Sequence, residues 1–110
     1  MNLTIKALDN FVKEVKKLSK KYKKIADDLK GLQNELLDNP QRGIHLGNNC
    51  YKIRVSNSSI PTGKSSGFRV IYYYLDSNGV IYLMSIYSKN DLENLSDEKI
   101  LEILKINELL

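Results

Sequence analysis

The sequence predicts an α+β fold in which an N-terminal helical hairpin packs on a small antiparallel sheet and a further helix lies at the C-terminal end. Three observations carry this. Residues 8–36 repeat apolar side chains at strict three-four spacing, residues 50–87 hold three runs rich in β-branched and aromatic residues, and Asn78-Gly79 separates the last two runs. Antiparallel strands covered on one face by two helices form a two-layer sandwich. The other face of such a sheet is then free to be polar and functional.

Each element follows in order. Leu3 and Ile5 alternate with Thr4 and Lys6, so residues 2–6 read as a short strand. Asp9 or Asn10 can cap the helix that follows. The apolar stripe then runs through Leu8, Phe11, Val15, Leu18, Tyr22, Ile25, Leu29, Leu32 and Leu36, with lysines on the other faces. In a chain of 110 residues, read as a single domain over 1–110, a hairpin of two helices suits the stripe better than one long helix. The break is expected near residues 19–23, although no glycine or proline marks it. Asp38-Asn39-Pro40 ends the helices, because proline disfavours helix in the residue before it. Residues 41–49, with Gly43, Gly47 and two asparagines, read as loop.

Residues 50–56 alternate, with Tyr51, Ile53 and Val55 on one face and Cys50, Lys52, Arg54 and Ser56 on the other. Residues 57–67 form a polar connection. Strands over 68–75 and 80–87 follow, joined by Asp76-Ser77-Asn78-Gly79. Most of Phe68, Tyr72, Tyr73, Tyr74 and Tyr82 are expected in core or cross-strand packing. Tyr87 stands apart because it ends a strand beside Lys89. Ser96 caps a last helix, with Asp97 and Glu98 in its first turn and Ile100, Leu101, Leu104 and Leu109 for an apolar face.

Charge narrows the function. Residues 42–89 carry six basic side chains against the single acid Asp76, whereas residues 90–110 carry six acids against two lysines. A stretch nearly free of carboxylates and rich in Lys and Arg fits an anionic partner such as a phosphate backbone. The acidic end, and its helix with it, would dock near that basic face. The lysine-rich helix face, Lys13 to Lys24, reads first as a solvated surface. No apolar run approaches the roughly 20 residues that span a bilayer, so a cytoplasmic protein without membrane contact is expected. The single cysteine, Cys50, reads as a buried structural thiol.

Several kinds of chemistry are set aside. His45 has no companions at metal-ligand spacing, so no metal and no small-molecule cofactor are expected. A two-metal nuclease needs carboxylates that the basic stretch lacks. Gly63-Lys64-Ser65 lacks the upstream glycine and the following helix of a P-loop. Lys52 and Arg54 share a strand face, Arg69 begins the next strand, Tyr87 and Lys89 end the last one, and Lys64 sits between glycines. Arg54 and Arg69 can bind phosphate but cannot shuttle protons. Lys52, Lys64, Lys89 and Tyr87 are the acid-base candidates. RNA carries its own nucleophile, the ribose 2′-hydroxyl, so its cleavage needs a base, an acid and cationic stabilisation of the phosphate but no metal.

Three motifs, Cys50-Tyr51-Lys52-Ile53-Arg54-Val55, Gly63-Lys64-Ser65-Ser66-Gly67-Phe68-Arg69-Val70-Ile71-Tyr72-Tyr73 and Ile86-Tyr87-Ser88-Lys89-Asn90-Asp91-Leu92-Glu93-Asn94-Leu95-Ser96, stand in the order seen in toxins of bacterial toxin-antitoxin pairs. The chain resembles the RelE/HigB type over roughly residues 8–105. The resemblance implies a RelE-like, microbial-RNase-type α+β fold. It implies metal-independent cleavage of mRNA in the ribosomal A site, by 2′-hydroxyl attack giving a 2′,3′-cyclic phosphate, and hence inhibition of translation. It implies an antitoxin partner that covers the basic face. Carried over residue by residue, the catalytic set is Arg54, Lys64, Arg69, Tyr87 and Lys89, and RNA is bound by Lys52, Arg54, Lys64 and Arg69. The best-studied members carry a tyrosine late in the C-terminal segment, and this chain has none after Tyr87, which leaves the base open among the four proton carriers. ParE-type relatives act on DNA gyrase without that set, and a degenerate toxin would act only as an antitoxin-binding co-repressor.

Overall fold

The structure is a computed structural model that describes residues 2–61 and 66–110. Its elements run β1 (Thr4–Ala7), α1 (Asp9–Ser19), α2 (Ile25–Asp38), β2 (Ile44–Gly47), β3 (Cys50–Val55), β4 (Phe68–Leu75), β5 (Val80–Ser88) and α3 (Asp97–Ile106). The strands form one sheet in the order β1-β5-β4-β3-β2. It is antiparallel except at one edge, where β1 runs parallel to β5 with Thr4 opposite Val80.

The helical stripe behaves as its spacing demands. Phe11, Tyr22, Ile25, Leu32 and Leu36 are buried against Ile53, Phe68, Val70, Tyr72 and Ile81 of one sheet face. The break between the helices has a tertiary cause, which explains why neither glycine nor proline is needed. The amides of Lys21 and Tyr22 both return to the Leu18 carbonyl, at 3.1 and 2.8 Å. That turn drives the Tyr22 ring into the core, edge-on to Phe68 with centroids 5.4 Å apart.

Four expectations need correction. The N-cap of α1 is Leu8, with no side-chain cap, because Asp9 and Asn10 already lie inside the helix. Residues 41–49 are not all loop. Ile44–Gly47 pairs with β3, and Gly47, Asn48 and Asn49 all take positive φ to close the tight turn between them. Glycine and asparagine tolerate that conformation, so the residues that looked like loop are the turn of a hairpin. The sheet is not wholly antiparallel, because β1 fills the open edge beside β5. The face away from the hairpin is not wholly free either. On it, Cys50, Ile71, Tyr73, Met84 and Tyr87 form a second cluster with Ile100, Ile103 and Leu104 of α3. The Ser96 cap is as expected, its hydroxyl accepting from the Lys99 amide at 3.2 Å.

One irregularity decides which face several side chains occupy. Ile71 pairs with Ser85 but Tyr72 pairs with Leu83, so Met84 is an extra residue in β5. Such a bulge leaves backbone groups unpaired and reverses the alternation beyond it. Ile81 and Leu83 face the helical hairpin and so does Ile86, while Met84 and Tyr87 share the opposite cluster. Helix α1 satisfies the bulge from one face. Asn10 donates to the Met84 carbonyl at 3.0 Å. One Glu14 carboxylate oxygen accepts from the Ser85 hydroxyl at 2.8 Å, the Ile86 amide at 3.3 Å and the Asn10 amide at 2.8 Å.

Replacing Glu14 by Ala should therefore cost about 1–3 kcal/mol, since it strands a fully buried hydroxyl and a backbone N–H. Lys17→Ala on the exposed face should stay within about 0.5 kcal/mol. Urea midpoints compare the two, and equal values would show that the bulge does not need the carboxylate. Alkaline pH supplies a second check. Burial raises the Cys50 thiol from 9.0 to about 11. It also raises the Tyr72 phenol from 10.0 to about 12. The native state thus holds these protons longer than the unfolded chain, and their contribution is complete below the unfolded values and lost as pH rises through the folded ones. Stability should hold from neutrality to about pH 9 and then fall steadily toward about pH 12. In the native state Cys50 should also resist alkylation.

Candidate functional site

Strand pairing brings three of the expected residues into one line across the sheet. Arg54 of β3 lies opposite Arg69 of β4, and Arg69 lies opposite Tyr87 of β5. Arg54 is exposed, whereas Arg69 retains 6% of its surface and donates to the Phe68 carbonyl at 3.2 Å. Burial and then the facing Arg54 guanidinium pull the Arg69 pKa down. Both groups remain cations, because guanidinium does not deprotonate in proteins. Two like charges directly opposite on adjacent strands oppose folding, and the sheet holds them together.

The close approach of β4 to β3 at this end needs glycine. A Cβ on Gly67 would lie 2.2 Å from the Val55 carbonyl oxygen. The Gly67 carbonyl also accepts from the Lys89 amide at 3.0 Å, which fixes where the chain leaves β5.

From there residues 89–96 cross the sheet face toward β3. The Lys89 ammonium donates to the Glu93 carbonyl at 2.8 Å. The Lys52 ammonium, on the same strand face as Arg54, donates to the Asn94 side-chain oxygen at 3.1 Å. Asp91 also sits 3.9 Å from Lys21 of the helical hairpin. The crossing segment thus occupies both lysines. Nothing in the sequence marked Asn94 as a partner of Lys52, since the two are far apart in the chain and meet only across three strands.

Tyr87, expected to stand apart from the core, is buried under this segment with 6% of its surface exposed. Burial raises its pKa from 10.0, while the Leu95 backbone and Arg69 pull the other way. Its hydroxyl is protonated near neutrality and can donate, which makes it an acid and not a base. Among the described residues it closes no hydrogen bond of full geometry, although the Leu95 backbone approaches it. Lys64 lies outside the described residues. His45 does not join the line. Its ring packs 5.0 Å from Tyr51, on the hairpin side of the sheet, and Tyr51 stacks on Tyr72. Arg42, counted in the basic stretch, pairs with Asp38 at 3.2 Å.

Helix α3 of the acidic C-terminal segment lies on this face through apolar contacts. It covers the apolar half around Tyr73 and Met84, and Arg54 toward the far edge is exposed. A cavity of about 340 Å³ lies at the boundary. Among the described residues no three His, Cys, Asp or Glu side chains are grouped to hold a metal ion. No described helix is long and apolar enough to cross a membrane.

If the line is held together against its own repulsion, removing one charge should stabilise the fold. Arg54→Gln should raise stability by about 0.2–1 kcal/mol at low ionic strength. The gain should shrink in high salt as screening takes over. A salt-independent loss of stability on thermal denaturation would contradict this electrostatic account.

Solved structures share the architecture. A double-arginine mutant of the E. coli toxin RelE in the free state superposes with a TM-score of 0.62 at 23% identity, covering 96% of this chain and 97% of that one. The isolated E. coli RelE toxin gives 0.56 at 21% identity, covering 94% and 98%. Within the intact E. coli RelBE toxin-antitoxin complex, one chain gives 0.55 at 22% identity, covering 78% of this chain and 95% of that one. At these identities the likeness establishes the fold. A family model, described as the ParE toxin of the type II toxin-antitoxin system parDE, matches residues 5–93. The chain belongs to this family of toxins, within the RelE/ParE superfamily.

Proposed function

We propose that the protein is a metal-independent endoribonuclease that cleaves mRNA in the ribosomal A site and so inhibits translation. The observation that carries this reading is the line Arg54–Arg69–Tyr87, two cations and a protonated phenol opposite one another across β3, β4 and β5. In the reaction a base removes the proton of the ribose 2′-hydroxyl. The 2′-oxygen bonds to phosphorus, the bond to the 5′-oxygen breaks, and an acid protonates that leaving oxygen. The products are a 2′,3′-cyclic phosphate and a 5′-hydroxyl.

Arg54 and Arg69 neutralise the charge that accumulates on the phosphate oxygens, where preorganised cations act most strongly. Tyr87, which carries its proton at neutrality, would donate toward the leaving oxygen or a phosphate oxygen. The base is drawn from Lys52, Lys64 and Lys89, the proton carriers that remain once Tyr87 serves as acid. Lys52 and Lys89 must first leave Asn94 and the Glu93 carbonyl, so RNA competes with the crossing segment for them. An antitoxin is the second partner, as RelE is seen with RelB in the E. coli complex. A protein that covers this face would silence the enzyme.

The description of the matching family favours a second reading, a non-enzymatic toxin that binds DNA gyrase. The two separate cleanly. Expression without antitoxin should arrest growth and produce mRNA cut within codons, ending in cyclic phosphate. Arg69→Ala and Lys89→Ala should each lower cleavage by about 100-fold or more while retaining the native circular dichroism spectrum. Gyrase inhibition in a supercoiling assay without mRNA cleavage would replace the nuclease reading by the second.

A further inference from the structure

We infer that the cavity between the sheet and the crossing segment is a nucleobase subsite, which rests on the nuclease reading for its ligand but not for its geometry. The cavity, about 340 Å³, is large enough for a base with its ribose. Its floor is Ile71 and Tyr87 of the sheet, and Leu95 and Ile100 close it from the side of α3. Apolar surfaces from two layers are what a flat aromatic ligand needs for burial of both faces.

The polar groups around the cavity suit the edge of a base and not a bare anion. Lys52 supplies a donor, Asp97 an acceptor, and the Asn94 amide both. Base edges alternate donors and acceptors in the same way. Asp97 would repel a phosphate. A phosphate belongs instead on Arg54 and Arg69, next along the face, and Tyr87 belongs to both places. Residues that look like a latch on Lys52 in the free protein would then line the slot for the base beside the bound phosphate.

Isothermal titration of the full chain tests this with adenosine and uridine monophosphates against ribose phosphate, which carries the anion without the base. Both nucleotides should bind about tenfold tighter or more than ribose phosphate. Leu46 lines the mouth of the cavity from β2 and is 41% exposed, so Leu46→Trp can fill the slot from outside with little strain on the core. That variant should bind nucleotides no better than ribose phosphate. Equal affinities for all three ligands in the wild type, or a nucleotide advantage that survives Leu46→Trp, would overturn the subsite. Base-dependent binding without mRNA cleavage would retain the subsite and remove the nuclease reading. Cleavage without base-dependent binding would do the reverse.

Discussion

One extra residue in β5 sets the chemistry of the open sheet face. Without the bulge at Met84, alternation would put Tyr87 on the same side as Ile81 and Leu83, inside the hairpin core. The line Arg54–Arg69–Tyr87 would then lose its third member. A bulge in a central strand exposes unpaired backbone groups, so it persists only where something satisfies them. Here Asn10 and Glu14, one helical turn apart on α1, reach the Met84 carbonyl, the Ser85 hydroxyl and the Ile86 amide. The hairpin therefore does more than cover the sheet. It holds the irregularity that turns a tyrosine toward the opposite face.

That face is divided by burial. Helix α3 brings Ile100, Ile103 and Leu104 over Tyr73 and Met84, and the apolar contact there fixes the start of the helix. Fixing that start obliges residues 89–96 to cross from β5 toward β3, over the boundary of the basic half. The crossing segment meets Lys52 and Lys89. The facing guanidiniums of Arg54 and Arg69 repel one another. On the proposed reading, cations already held in place would stabilise charge on a phosphate without reorganising.

Much of this was legible in the sequence because it follows from periodicity. The stripe from Phe11 to Leu36 and the Asn78-Gly79 turn required no tertiary knowledge. The shared face of Lys52 and Arg54 follows from a spacing of two. Legibility ended where long-range contacts override local pattern. Asn10 looks like a cap but serves the bulge 74 residues away. Gly47, Asn48 and Asn49 look like loop but turn a hairpin. Strict alternation gives no warning that Ile86 and Leu83, three apart, share a face. The pairing of Lys52 with Asn94 is invisible for the same reason, since it depends on how far a connection travels across the sheet.

The family assignment leaves the chemistry to these side chains, because one fold carries both nucleases and non-enzymatic toxins. A protein-binding toxin has no need to bury an arginine beside another arginine, nor to seal a phenol hydroxyl next to them. Both features oppose folding, and both suit a phosphate in transit between two oxygens. An arginine at 6% exposure is also a poor anchor for a protein surface, which would favour side chains that protrude. On the proposed nuclease reading, the exposed Arg54 and the buried Arg69 would form the rim and the floor of one anion site. On that reading, a reaction in which charge builds on a phosphate gains from each cation held out of bulk water.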